Sequence, residues 1–315
     1  MEKRDWMKFL VVGTGGTGGC IGGYLARQGE DVTFIARGKH LEKMKENGMQ
    51  VYSVRIGDFN INPIKVCTME EYSDTPDVVF VCVKYYSLHE TINFLKRVVG
   101  KHTLVIPILN VYGTGGKMQK ELSCTVTDGC VYIFSMIEAP GVIRQGAPIF
   151  KMYFGFRKDQ PFTKEQEEVL KIVEEKLNTS GVEANYTTQI EKDALQKFAC
   201  VSPMGTAGMY YGAVAGDLMK DGEMRETFLG LAGEVEAVGQ AMGLNYEVSL
   251  ETVSDNVLKG LTETATTSMQ RDVMAGGQSE VDGLVHEMVR LGHQYGVSVS
   301  NYEKISLWAK EKGIK

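Results

Sequence analysis

No stretch of the chain approaches the ~18 consecutive apolar residues that a membrane-spanning helix needs. No Cys-x-x-Cys pair occurs either: the six cysteines, at 20, 67, 82, 124, 130 and 200, are scattered. That spacing argues against a metal site and for buried free thiols in a reducing cytosol. There is no basic stripe, and a net charge of −6 sets aside general nucleic-acid binding. The opening "MEKRDWMKFLVVG" superficially resembles a signal peptide, but its apolar run lasts about five residues before glycines break it, and no cleavage pattern follows. A first strand and a cytoplasmic protein are expected. Internal repeats and low-complexity tracts are absent. What is present is an ordinary globular composition, 43% apolar and 23% charged over 315 residues. That length predicts two domains.

The first half alternates short apolar runs with helical patterns. "KFLVV" (8–12), "DVTFIA" (31–36), "DVVFVCVK" (77–84) and "TLVIPILN" (103–110) read as strands. Unbroken Val, Ile, Leu and Phe mark strands buried on both faces, as in a parallel sheet covered by helices. Helices are expected through "GCIGGYLARQG", "KHLEKMKENG" and "SLHETINFLKRVV". This rhythm predicts a doubly wound, Rossmann-like α/β domain. Between 131 and 155 alternation around Pro140 and Gly141 predicts antiparallel strands appended to that sheet. A charged helix from 163 to 181 and a short strand near "VEANYTT" close the domain. From about 189 the chain turns mostly helical, so the expected division is 1–188, binding the nucleotide, and 189–315, an all-α domain.

Gly13, Gly15 and Gly18 fit Gly-x-Gly-x-x-Gly in "GTGGTG" (13–18), which also contains Thr14, Gly16 and Thr17. With 36 glycines in the chain the match alone is weak. Its place between a strand and a helix strengthens it. The first glycine permits the tight turn, the second lets a pyrophosphate approach the backbone, and the third lets the helix pack close to the strand. The helix N-terminus adds free N–H groups and partial positive charge. At the end of the second strand an NAD enzyme usually carries an acid for the ribose 2′-OH. Here the chain reads Ile35-Ala36-Arg37-Gly38-Lys39. A guanidinium clasps a phosphate with two parallel hydrogen bonds, so NADP is the favoured cofactor. Arg37 as a solvated surface cation is the competing reading.

Two decoys fall away. "YGTGGKMQK" (112–120) lacks the first glycine of a P-loop, where Val111 stands, and the Ser or Thr, where Met118 stands. His286 and His293 share a helix face without the cysteines or carboxylates of a metal site.

"ALQKFACVSPMGTAG" (194–208) and "SMQRDVMAGGQSEVDGLVHEMVRLGHQYGVSVSNYEKI" (268–305) resemble two segments of the ketopantoate (2-dehydropantoate 2-) reductase family. These are its W-x-K-[LF] helix start and its S-M-x-x-D…T-E-I-D segment. The resemblance extends over nearly the whole chain and includes the opening glycines, Lys84, Asn110 in "LNVYG" and the "APGVIRQG" hairpin. It implies an NADPH-dependent 2-oxo acid reductase, with ketopantoate reduced to pantoate as the default reaction and a homodimer as a possible assembly. By the same resemblance Lys197 is general acid, and Glu280 holds a substrate hydroxyl and orients the lysine. Ser268 binds the substrate carboxylate, Asn110 lies near the nicotinamide ribose and the substrate, and Lys84 lies near the adenine-side phosphate.

Each residue has a duller reading. Lys197 alone is a solvated cation, Ser268 a helix-surface hydroxyl, and Glu280 a complement to a helix dipole behind an N-cap at Ser279. The family's asparagines four and eight residues after the lysine are Val201 and Gly205 here, and its tryptophan is Leu195. Losing two amides from a site that reads a hydroxyl shifts selectivity by about 1–3 kcal/mol for each buried group. Ser202 is the candidate to supply one hydroxyl in their place. A different, more apolar 2-oxo acid is the alternative substrate, and a non-catalytic NADPH sensor the alternative class.

Overall fold

The computed structural model describes residues 7–315, which form two compact units. The first runs to Ile190, and the second comprises Glu191–Lys315 with the tripeptide Asn110–Tyr112. The division therefore falls at 190/191 and exempts a turn, where the sequence placed one cut at 188/189.

The first unit contains β1 (Lys8–Val12), α1 (Gly16–Arg27), β2 (Asp31–Ile35), α2 (Gly38–Asn47), β3 (Met49–Ser53), β4 (Phe59–Ile61), β5 (Lys65–Cys67) and β6 (Val78–Val81). A single 3-10 turn, Tyr85–Ser87, leads into α3 (Leu88–Val98), followed by β7 (Leu104–Pro107), α4 (Thr114–Gln119) and β8 (Thr125–Val126). The long hairpin β9 (Asp128–Ala139) and β10 (Val142–Gly155), α5 (Lys164–Ser180) and β11 (Glu183–Tyr186) complete it. Strands β5-β2-β1-β6-β7-β8 make one sheet, every neighbouring pair parallel. Counted within the sheet, that order is 3-2-1-4-5-6, the doubly wound arrangement whose direction reverses between β1 and β6.

Alternation along the central strands explains their unbroken apolar runs. Phe9 and Val11, Val78 and Phe80, Leu104 and Ile106 join a core with α1, α5 and strand β10. Leu10 and Val12, Val79 and Val81, and Val105 join a second core with α3 and Met118 of α4. Both faces are dry, so polar residues have no place in these strands.

The 131–155 hairpin forms where expected but does not extend the parallel sheet. It belongs to a separate sheet of order β11-β10-β3-β4, with β9 on the other side of β10. β10 is long enough to pair with β3 through 142–145 and with β11 through 151–154. Phe150, Met152 and Phe154 then turn inward onto the core that holds Phe9 and Val11. A polar knot crosses this layer: Tyr24 donates to Gln145 Oε1, and its hydroxyl lies 2.7 Å from Ser53 Oγ, which donates to the same amide oxygen at 2.7 Å.

The second unit is helical: α6 (Ile190–Ala199), α7 (Ser202–Tyr211), α8 (Ala215–Met219), α9 (Glu223–Ala241), α10 (Leu250–Lys259), α11 (Ser268–Met274), α12 (Glu287–Tyr295) and α13 (Ser300–Glu311). A π-helical turn, Asp282–His286, runs directly into α12. The 19-residue α9 is its spine, packing on α7, α8, α10, α12 and α13 through Phe228, Leu231, Val235 and Val238. Among the described residues no helix is long and apolar enough to cross a membrane.

Candidate active site

The glycine loop sits at the carboxyl end of β1, beside the reversal of strand order. Gly13 has φ +94°, and a Cβ there would lie 2.8 Å from the Cys82 carbonyl oxygen that follows β6. A Cβ on Gly18 would lie 2.2 Å from the Gly13 carbonyl oxygen. Both positions admit only glycine. Gly15 is the contrast, because nothing stands within 4 Å of a Cβ built on it. It is the N-cap of α1, with no side-chain cap and no acid in the first turn. The geometry thus separates two glycines that permit packing from one whose outer side is open to an anion, and this arrangement fits a dinucleotide pyrophosphate.

Thr14 braces the loop: its hydroxyl and N–H both donate to Ile35 O, at 2.9 and 3.2 Å. That ties the loop to the end of β2, two residues before Arg37, which is exposed together with Lys39. Gly16 and Thr17 open α1 and are half-buried. Burial raises the Cys82 thiol beside Gly18, keeping it neutral next to an anion site. Lys84 precedes the 3-10 turn after β6 and is half-buried, as is Asn110 after β7.

In the helical unit Lys197 lies in the last turn of α6, half-buried, and Ser268 opens α11. Glu280 is only 2% exposed and immediately precedes the helical segment that contains the π turn. The Ser279 hydroxyl donates to Lys315 O at 2.7 Å and accepts from Val281 N–H at 3.4 Å at the start of the segment. Two residues escaped the sequence reading: Thr267 and Gln270 form a capping box around Ser268, the threonine hydroxyl accepting from Gln270 N–H and the amide oxygen accepting from Thr267 N–H. The T-x-x-Q spacing was the available signal.

Ser202 requires a correction. It is fully buried, it donates to Leu284 O at 2.6 Å, and its oxygen lies 2.6 Å from the Tyr302 hydroxyl. A hydroxyl engaged on both sides inside the core does not read a substrate hydroxyl.

Sequence comparison decides the family. The family model described as "Ketopantoate reductase PanE/ApbA" matches residues 9–159, and its C-terminal counterpart matches 189–312. The chain belongs to the ketopantoate reductase family. The chain is similar to an uncharacterized oxidoreductase, YkpB, of Bacillus subtilis (strain 168), with 28% identity over 97% of this chain and 100% of that one. It is also similar to the 2-dehydropantoate 2-reductase of Aquifex aeolicus (strain VF5), with 27% identity over 98% and 97% of the two chains. Among solved structures, D-mandelate dehydrogenase with NADH and anilino(oxo)acetate shares the fold, with TM-score 0.86 and 18% identity over 98% and 100% of the chains. Membership of the ketopantoate reductase family makes the chain an oxidoreductase.

Against the ketopantoate reductase pattern, the two missing asparagines fall at different depths. Val201 is half-buried at the N-cap of α7. Gly205 is buried, and a Cβ there would meet Met269 Cε at 3.0 Å and Thr267 Oγ1 at 3.2 Å. Any side chain at 205 would crowd Met269 of α11 and the hydroxyl of its N-cap, Thr267.

Proposed function

We propose that the chain reduces a 2-oxo acid to the corresponding 2-hydroxy acid with NADPH, and that ketopantoate, giving pantoate, is the default substrate. On this reading it serves pantothenate biosynthesis in the cytoplasm. Residues 1–188 hold the cofactor and 189–315 the acid. When bound, the reduced nicotinamide supplies the hydride. Lys197 gives a proton to the carbonyl oxygen, and its ammonium stabilises the negative charge developing there. Ser268 takes the substrate carboxylate, Glu280 a substrate hydroxyl, and Asn110 the ribose and substrate side. Lys84 and Arg37 take phosphates. The observation that carries the reading is that Lys197, Ser268 and Glu280 all survive at family spacing in a chain that keeps the open Gly15. The test is NADPH oxidation across a panel of 2-oxo acids. Ketopantoate as the poorest substrate on that panel ends the default.

Val201 and Gly205 favour a second reading, a more apolar 2-oxo acid, because no amide at either position pairs with a substrate hydroxyl. An aliphatic or aromatic 2-oxo acid then outranks ketopantoate on the same panel.

Arg37 makes a separate prediction. Charge-assisted hydrogen bonds to a 2′-phosphate contribute about 1.5–3 kcal/mol. Arg37→Ala is therefore expected to weaken NADPH roughly ten- to a hundredfold, with NADH unchanged. Equal loss for both cofactors in a fluorescence titration removes Arg37 from phosphate recognition.

A further inference from the structure

The segment after Glu280 does not wind as a regular helix. Glu287 N–H reaches back five residues to Asp282 O, the bond of a π turn. Such turns are rare, occur mostly as single turns within α-helices, and are frequent at functional sites. Here Leu284 is held from both sides. Its N–H donates to Glu280 O at 2.8 Å, and its carbonyl oxygen accepts from Ser202 Oγ at 2.6 Å. Serine has one proton. With that proton on Leu284 O, the 2.6 Å contact between Ser202 Oγ and Tyr302 Oη runs from tyrosine to serine. Tyr302 is fully buried, and burial pushes its phenol far above the ordinary range, so it stays protonated and donating. The tyrosine is itself fixed, since its N–H donates to Glu234 Oε2 of α9 at 3.1 Å. The turn has a second anchor in His286, whose Nδ1 lies 2.8 Å from Ser306 Oγ.

These bonds form a directed path from the α9 spine through Tyr302 and Ser202 to Leu284 and the backbone of Glu280. Ser202 also lies five residues after Lys197, across the tight junction where Val201 N–H bonds Phe198 O. One short stretch of chain therefore carries the proposed general acid and grips the turn that follows the proposed substrate-binding carboxylate. We propose that Ser202 and Tyr302 are positioning residues, whose hydroxyl relay onto Leu284 holds the π turn and so sets the register of Glu280 relative to Lys197 for the 2-oxo acid. The inference rests on the reductase reading above.

Ser202→Ala and Tyr302→Phe each remove one oxygen and keep the shape. Misplacing a catalytic group by about an ångström costs up to ~100-fold in rate. Each variant is expected to lose roughly tenfold or more in kcat/KM for the best 2-oxo acid of the panel, while NADPH affinity by fluorescence stays within twofold. The double variant is expected to be no worse than the worse single one, because both act through one relay. In a crystal structure of Ser202→Ala, residues 282–286 are expected to rewind toward regular α-helix. A lowered melting temperature with kcat and KM within twofold of wild type, measured well below melting, overturns the proposal, as do additive kinetic effects. Should Ser202→Ala not fold, Tyr302→Phe decides by the same criteria. A wild-type chain that reduces no 2-oxo acid overturns the reductase reading instead. The crystallographic comparison then judges the relay alone, and a retained π turn in Ser202→Ala refutes it.

Discussion

Lys197→Ala is expected to lower turnover about 10²- to 10⁴-fold, the range that general acid loss costs. NADPH affinity is expected to hold within twofold, because the glycine loop and Arg37 belong to the other compact unit. The loss should fall mainly on kcat rather than on KM for the oxo acid, since the ammonium contributes most when charge sits on the carbonyl oxygen. Lys197→Arg keeps the positive charge, but its guanidinium does not give up a proton at neutral pH. It is expected to recover binding of the acid and little turnover. Stopped-flow NADPH oxidation at saturating acid reads these outcomes. Turnover within threefold of wild type in the alanine variant removes Lys197 as the general acid, whereas a wild type that binds NADPH but oxidises it with no 2-oxo acid leaves the chain as a holder that senses rather than reduces.

The second large effect is expected at Gly18. A methyl group there would stand 2.2 Å from the Gly13 carbonyl oxygen and 3.0 Å from Cys82 Cβ and Val11 Cγ1, so backbone must move. Overpacking of this kind costs about 1–3 kcal/mol. The displaced residues are the turn itself, so Gly18→Ala is expected to lose both thermal stability and most NADPH affinity. Gly15→Ala separates the two causes. Its methyl meets no protein atom within 4 Å, so folding is expected to change by no more than ~0.5 kcal/mol. The same methyl occupies the face offered to the pyrophosphate, so affinity is expected to fall while the melting temperature without cofactor stays put. Melting with and without NADPH reads both variants. Undiminished NADPH binding by Gly15→Ala puts the pyrophosphate somewhere else.

The legible parts of the chain are those whose burial is symmetric. Past Lys8, β1 reads directly because each residue meets apolar neighbours whichever face it points to. The 77–84 and 103–110 runs read too long for the same reason: only Val78–Val81 and Leu104–Pro107 are strand, while Val83, Ile108 and Leu109 are apolar because they pack on the two cores beyond the ladder. β3, β4 and β5, all between 49 and 67, went unread. They are three to five residues long, and the strand that organises β3 arrives much later, with Val51 opposite Ile143. Nothing local encodes that partnership. Ser202 fails in the same way. Its neighbours Pro203 and Met204 hint at burial, but its partners Leu284 and Tyr302 lie 82 and 100 residues away. Sequence proximity to Lys197 suggested contact with substrate, and the core claimed the hydroxyl first. The glycine loop was legible because its pattern is compact and its geometry tolerates few alternatives, even though Ile35 and Cys82, further along the chain, fix Thr14 and Gly13.

The second sheet also bears on protein engineering. By motif alone, the portable nucleotide module ends near Val126, where the parallel strands stop. Yet Phe150, Met152, Phe154, Leu170, Val173 and Leu177 form the roof over Phe9 and Val11, and the Ser135–Met136 backbone presses within 2.6 Å of where a Gly16 Cβ would be. Cut at 126, a graft would carry the phosphate loop with one side of its β-layer stripped to solvent. The smallest transplantable unit is the stretch through Ile190, and cofactor-swapping chimeras should be spliced there.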